Sequence, residues 1–183
     1  MKQIKTLVII LMCLPAMSSA QRLMDRNGKI HFFSEAPLEN IEATNKQALA
    51  ALDLSNGKIA VSMLMKGFHF EKSLMEEHFN ENYVESDKYP KASFSGQLDE
   101  FDASALDNIT DSLQYSAIGQ LTIHGVTNDV ETVVTFKSID SKISVRTQFW
   151  VKVDDYDVDI PKMVISNIAE EVLVTAQFSF ERS

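Results

Sequence analysis

The sequence predicts an all-β, antiparallel fold, and three observations carry that prediction. Four long segments in the second half of the chain alternate apolar and polar residues with a period of two. Asn-Gly pairs at 27–28 and 56–57 mark tight turns between shorter segments of the same kind. Only residues 71–83 follow a helical period well.

In chain order, residues 23–26 and 29–34 read as two strands of a hairpin about Asn27-Gly28. Residues 39–45 read as a further strand after Pro37. Residues 45–54, rich in Ala and Leu, read as a loop or a helical turn. After Asn56-Gly57, residues 58–67 alternate, with Ile59, Val61, Met63 and Met65 on one face and Ala60, Ser62, Leu64 and Lys66 on the other. In residues 71–83, Leu74, Met75, His78, Phe79 and Asn82 share one helix face, and Glu76, Glu77, Asn80 and Glu81 lie opposite. Pro90 cannot donate to a ladder and sets the start of a strand over 92–98. The acidic, irregular residues 99–111 read as a solvated loop.

Four strands follow. Their apolar faces are Tyr115, Ala117, Gly119, Leu121 and Ile123; Val130, Thr132, Val134 and Phe136; Ile143, Val145, Thr147, Phe149, Val151 and Val153; and Val172, Val174, Ala176, Phe178 and Phe180. Residues 160–169 read as an excursion with a short helix. No repeat or low-complexity linker divides the chain, so residues 21–183 read as one domain.

Residues 1–20 read as an export signal. Lys2 and Lys5 precede an apolar run over 7–14, and Ser18-Ser19-Ala20 offers small residues for cleavage near Ala20. The run is shorter than the roughly 20 residues of a spanning helix. The single cysteine, Cys13, follows the bulky Met12, where a lipid-attachment motif wants a small residue, so no stable membrane anchor is expected. The protein is expected in the periplasm or secreted medium, held together by its core without disulfides. Hydrophobic residues make up 45% of the sequence, a globular value. Loss of Lys2 and Lys5 with the leader takes the formal charge from −9 to −11. That acidity argues against a nucleic-acid partner and against docking on anionic headgroups.

Strands with one apolar face need a second layer or closure to cover it. Periodicity leaves barrel and sandwich level. Two blocks add to it. The first is Glu77-His78-Phe79-Asn80-Glu81-Asn82-Tyr83 followed by Tyr89-Pro90-Lys91-Ala92-Ser93-Phe94-Ser95-Gly96; the second is Leu121-Thr122-Ile123-His124-Gly125-Val126-Thr127. In this order they resemble the YceI-like family of exported lipid- or polyisoprenoid-binding proteins, over roughly Gly28 to the C-terminus. The resemblance implies an eight-stranded, antiparallel, lipocalin-like barrel with one or two short helices near an opening. It also implies a long-chain isoprenoid or other apolar lipid as partner, and it allows a homodimer.

An apolar chain needs only shape and an apolar lining, and burial is worth roughly 0.8 kcal/mol per methylene. The candidate lining is Ile59, Val61, Met63, Met65, Phe94, Leu121, Val134, Phe136, Val145, Phe149, Val174 and Phe178. By periodicity alone a solid core is the better reading of the same residues, and only the resemblance favours a cavity. His124, before Gly125, reads as a turn residue with a local hydrogen bond; the rival role is metal ligand or general base. His31, His69 and His78 show no ligand spacing. The alternating carboxylates of residues 154–159 lack the Gly and Glu of a calcium loop and read as a solvated bend. No Gly-x-Ser-x-Gly elbow is present. The expectation is a binding protein without catalytic residues, metal or cofactor. The rivals are a metal-dependent enzyme or stress protein using His124, and a packed β-domain for a protein partner.

Overall fold

The computed structural model describes residues 22–35, 40–159 and 170–181. Nine strands form one antiparallel sheet: β1 (Arg22–Ser34), β2 (Ile41–Asp53), β3 (Lys58–Leu64), β4 (Phe68–Phe70), β5 (Lys91–Leu98), β6 (Leu113–Ile123), β7 (Val126–Ile139), β8 (Lys142–Lys152) and β9 (Glu171–Glu181). The order is β1-β9-β8-β7-β6-β5-β3-β2, and β2 returns to pair with β1. Among the described residues eight strands therefore close a barrel, in which each strand has a neighbour on both sides. The three-residue β4 pairs with β2 at Ala43–Asn45 beyond the end of β3.

The first two strands differ from the sequence expectation. Asn27-Gly28 is no hairpin turn. β1 runs straight through it, and its register with β2 shifts on either side of Gly28, a bulge. The bulge frees backbone donors, and Asp25 takes them up. Its Oδ1 accepts from Asn27 N (2.8 Å) and its Oδ2 from Ser179 N (2.7 Å).

Residues 45–54 are neither loop nor helical turn but the second half of β2. Ala43, Ala48 and Ala50 face inward and are buried, and Ala48 pairs with Gly28. Ladders on both flanks override the helical propensity of an Ala-rich run.

The strand expected over 58–67 is interrupted. β3 stops at Leu64, and Met65–Gly67 make a 3-10 turn before β4. Asn45, wholly buried, spans the break: its Nδ2 donates to Leu64 O and its Oδ1 accepts from Gln47 N, both at 2.8 Å.

The helix is shorter and turned differently than its periodicity predicts. α1 (Ser73–His78) runs into one wide π-turn over Phe79–Tyr83. Leu74, expected on the inner face, is 59% exposed, and Asn82 is exposed too, whereas Tyr83 turns inward. Six residues are too few for a stable isolated helix, so packing on the barrel end holds it.

β5 to β9 match the expected strands to within a few residues. Residues 99–111 are not wholly solvated. They hold a 3-10 helix, Ala103–Asn108, capped by Asp102, which accepts from Ser104 N (2.9 Å) and Oγ (2.7 Å). Its Leu106 is buried in the core. The excursion expected over 160–169 and the export signal lie outside the described residues. Among the described residues, no helix is long and apolar enough to cross a membrane.

The core is unevenly filled. Near the first residues of β1 and the last of β9, Leu52, Leu98, Leu106, Phe136 and Phe180 are fully buried. There Tyr115 meets the Phe136 ring edge-on at 5.7 Å and the Phe101 ring at 5.3 Å. The other half of the barrel is hollow.

Candidate functional site

The hollow half encloses a cavity of about 630 Å³, within the roughly 300–1,000 Å³ of small-molecule pockets. Alternation supplies its wall. β3, β5, β6, β7, β8 and β9 each turn every second side chain inward, and at this height those side chains are Ile, Val, Leu, Met and Phe. Of the twelve residues expected to line it, Ile59, Val61, Met63, Met65, Phe94, Leu121, Val134, Val145, Phe149, Val174 and Phe178 do.

Phe136 does not. It is 0% exposed and sits in the packed half. Its side chain points inward as its parity requires, but too far along the strand to reach the cavity.

The Phe94 ring lies against the wall because Gly96 and Gly119 face each other across β5 and β6. A Cβ on either would stand 2.6 or 2.9 Å from the tip of that ring, closer than side chains pack.

Sequence reasoning placed short helices near an opening but missed the aromatic cluster beneath them. Phe32 of β1, Phe68 and Phe70 of β4, and Phe79 of the π-turn meet with centroids 5.1 to 5.8 Å apart. Together with Met75, His78 and Tyr83 they line the helix-covered end. Phe32 shares the parity of Ile30, so its inward direction was readable. The meeting of four rings from three elements was not.

The acidic segment is also more than a solvated bend. Val153–Tyr156 form a 3-10 turn, Asp157 adopts a left-handed conformation (φ 52°), and Tyr156 and Val158 are buried against the cavity.

No Asp, Glu, Lys or Arg lines the cavity among the described residues. Its polar groups are the hydroxyls of Ser34, Tyr83, Ser93, Thr132, Thr147 and Tyr156 and the ring of His78. Burial raises the Tyr83 phenol above the ordinary tyrosine value. It does the same for Tyr156, where a hydrogen bond with Asn128 opposes the shift and the Asp155 charge adds to it. Both phenols are therefore neutral donors at neutral pH. An apolar chamber favours an uncharged hydrocarbon and disfavours an ion.

His124 sits beside the chamber. With Gly125 it forms a two-residue hairpin turn, both at positive φ (51° and 79°). The expected turn is there, but the ring's partners are not local. Nδ1 donates to the Tyr156 carbonyl (3.2 Å), and Nε2 faces Glu85 Oε2 (2.9 Å). The ring also stands edge-on to Tyr89, with centroids 4.4 Å apart. His124 thus ties three segments together at the hollow end.

His31 lies near Glu42 and Thr44, and His69 near Glu76. Among the described residues no group of three or more His, Cys, Asp or Glu side chains is placed to hold a metal.

Known proteins agree with this architecture. The polyisoprenoid-binding domain from Saccharophagus degradans superposes with a TM-score of 0.73 at 13% identity, over 88% of this chain and 98% of that one. Burkholderia cenocepacia BcnA does so at 0.68 and 17% identity, over 83% and 95%. The Campylobacter jejuni YceI protein does so at 0.58 and 15% identity, over 100% and 92%. At such identities the likeness is one of fold. No curated protein matches the sequence. The YceI-like domain model matches residues 23–180, nearly the whole described chain, and the chain belongs to the YceI-like family.

Proposed function

We propose that this is an exported binding protein that encloses a long apolar isoprenoid or similar lipid and performs no chemistry on it. The observation that carries the reading is the chamber of about 630 Å³, lined among the described residues by no Asp, Glu, Lys or Arg. Taking a methylene to fill about the ~30 Å³ of a water molecule, it holds on the order of twenty carbons. The flexible Met63, Met65 and Met75 side chains of the lining adapt to a branched chain. The likeness to a polyisoprenoid-binding domain supports the same ligand class. Export rests on the Lys2–Lys5 leader and its small-residue end at Ala20.

Organic extraction of the purified protein, followed by mass spectrometry with metal analysis on the same sample, tests the reading. An isoprenoid near one per chain supports it. A stoichiometric transition metal and no lipid overturns it. N-terminal sequencing should start at Gln21; an acylated Cys13 would refute both the cleavage site and the soluble, unanchored state.

A further inference from the structure

The barrel wall is not equally sealed. β6 pairs with β7 along its whole length, Leu113 to Ile123, and β8 with β9 along all of Lys142 to Lys152. β7 and β8 pair only from Val134–Thr147 to Ile139–Lys142. Beyond that point, among the described residues, both strands continue along the cavity without a ladder between them.

Side chains span the opening at its two ends. At one, Thr132 Oγ1 lies 2.8 Å from Thr147 Oγ1 and 3.4 Å from the carbonyl of Gln148. At the other, Asn128 Nδ2 donates to Asp155 O (2.6 Å). Between these struts the inward residues are Val130 on one side and Phe149, Val151 and Val153 on the other, all of them cavity lining. Outside, Trp150 stands 61% exposed on β8. Continuing the register would set Asp129 opposite Lys152. The Asp129 carboxylate instead accepts from Gln120 Nε2 on β6 (3.3 Å).

We infer that the β7–β8 seam is the passage by which the apolar chain enters and leaves. This rests on the binding reading above. Parting β7 and β8 beyond their ladder breaks the two side-chain struts and no ladder pair, whereas parting neighbours within a ladder breaks a run of cooperative bonds. The seam opens on apolar lining from within and on an exposed indole from without. A hydrocarbon crossing it meets little polar surface.

The full chain, expressed with its leader, provides the test, loaded with a nitrobenzoxadiazole-labelled C20 isoprenoid alcohol and mixed with excess phosphatidylcholine vesicles. Asp129→Cys with Lys152→Cys places two thiols outside the cavity across the seam, and a short bis-maleimide joins them. Release should slow at least tenfold on cross-linking, relative to the same protein before it. The same treatment of Ser95→Cys with Gln120→Cys, a pair that lies within the β5–β6 ladder, should leave the rate unchanged. Asn128→Ala removes one strut and should speed release several-fold. Cross-linked protein, verified by mass, that releases at its original rate overturns the inference. So does an unchanged rate in Asn128→Ala, which keeps the test decisive if the double variant does not fold. A native protein that takes up no probe overturns the binding reading itself, and the seam with it.

Discussion

The two halves of this barrel are built from the same strands and the same alternation, yet one is solid and the other hollow. In the solid half, Leu52, Leu98, Leu106, Phe136 and Phe180 fill the cross-section, and the 3-10 helix Ala103–Asn108 closes it. In the hollow half the inward residues are as apolar, but they line the wall without meeting across it, and a short helix with four phenylalanines covers the end. The difference shows that hydrophobicity does not separate a core from a binding site. What separates them is whether opposite walls touch.

Substitutions can break or sharpen that division. The largest stability effect belongs to Phe136→Ala, which empties a fully enclosed site and should cost about 3–5 kcal/mol in denaturant unfolding. Phe149→Ala, facing a space already open, should cost about half of that or less, while weakening lipid retention. Equal costs would erase the distinction between the halves.

Next is an added side chain. Met63→Trp has room in the chamber and should fold with little loss while retention of lipid falls sharply. Leu98→Trp has no such room and should lose about 1–3 kcal/mol to overpacking. A Met63→Trp protein that keeps its full lipid load would place the ligand elsewhere.

A smaller effect is expected at the tie between His124 and Glu85. Glu85 is partly exposed, so Glu85→Gln should cost about 1 kcal/mol or less, read as a small drop in Tm. The loss should be concentrated in hydrogen exchange of the helix-covered end, with the packed end unchanged.

The smallest is Asp102→Asn at the cap of the packed end. The hydrogen bonds from the Ser104 hydroxyl and backbone hold the Asp102 carboxyl below its ordinary value. A depressed folded-state value means its contribution is present above the unfolded value of about 3.9 and is lost as pH falls through the lower, folded one. The variant should therefore flatten acid unfolding below about pH 4 and change little at neutrality.

Much of this was legible in the sequence, and the misses have physical causes. Strands β5 to β9 show in alternation because each has one face buried and one solvated. The second half of β2 did not, because Ala48 and Ala50 face inward there, small where β1 and β2 bulge together, and alanine is a helix former in isolation. Periodicity named the inward face of each strand, which is why eleven expected residues line the chamber. It carries no information on height along the barrel, which is why Phe136 was placed with them. The partners of His124, on Glu85 and Tyr156, lie far away in sequence and are joined only by the closed ring.

Ring closure has a consequence for how the molecule forms. The strands that complete the circle are the first and the last, with Ile30 against Ala176 and Phe32 against Val174. The chain must bring its two ends together before the sheet has no edge, and contacts so distant in sequence make folding slow. Until β9 has been synthesised, β1 and β8 each lack a neighbour. A nascent chain therefore cannot lock prematurely into the native barrel. It stays open until its final strand arrives, and a chain cut short before Glu171 would leave two bare strands open to aggregation.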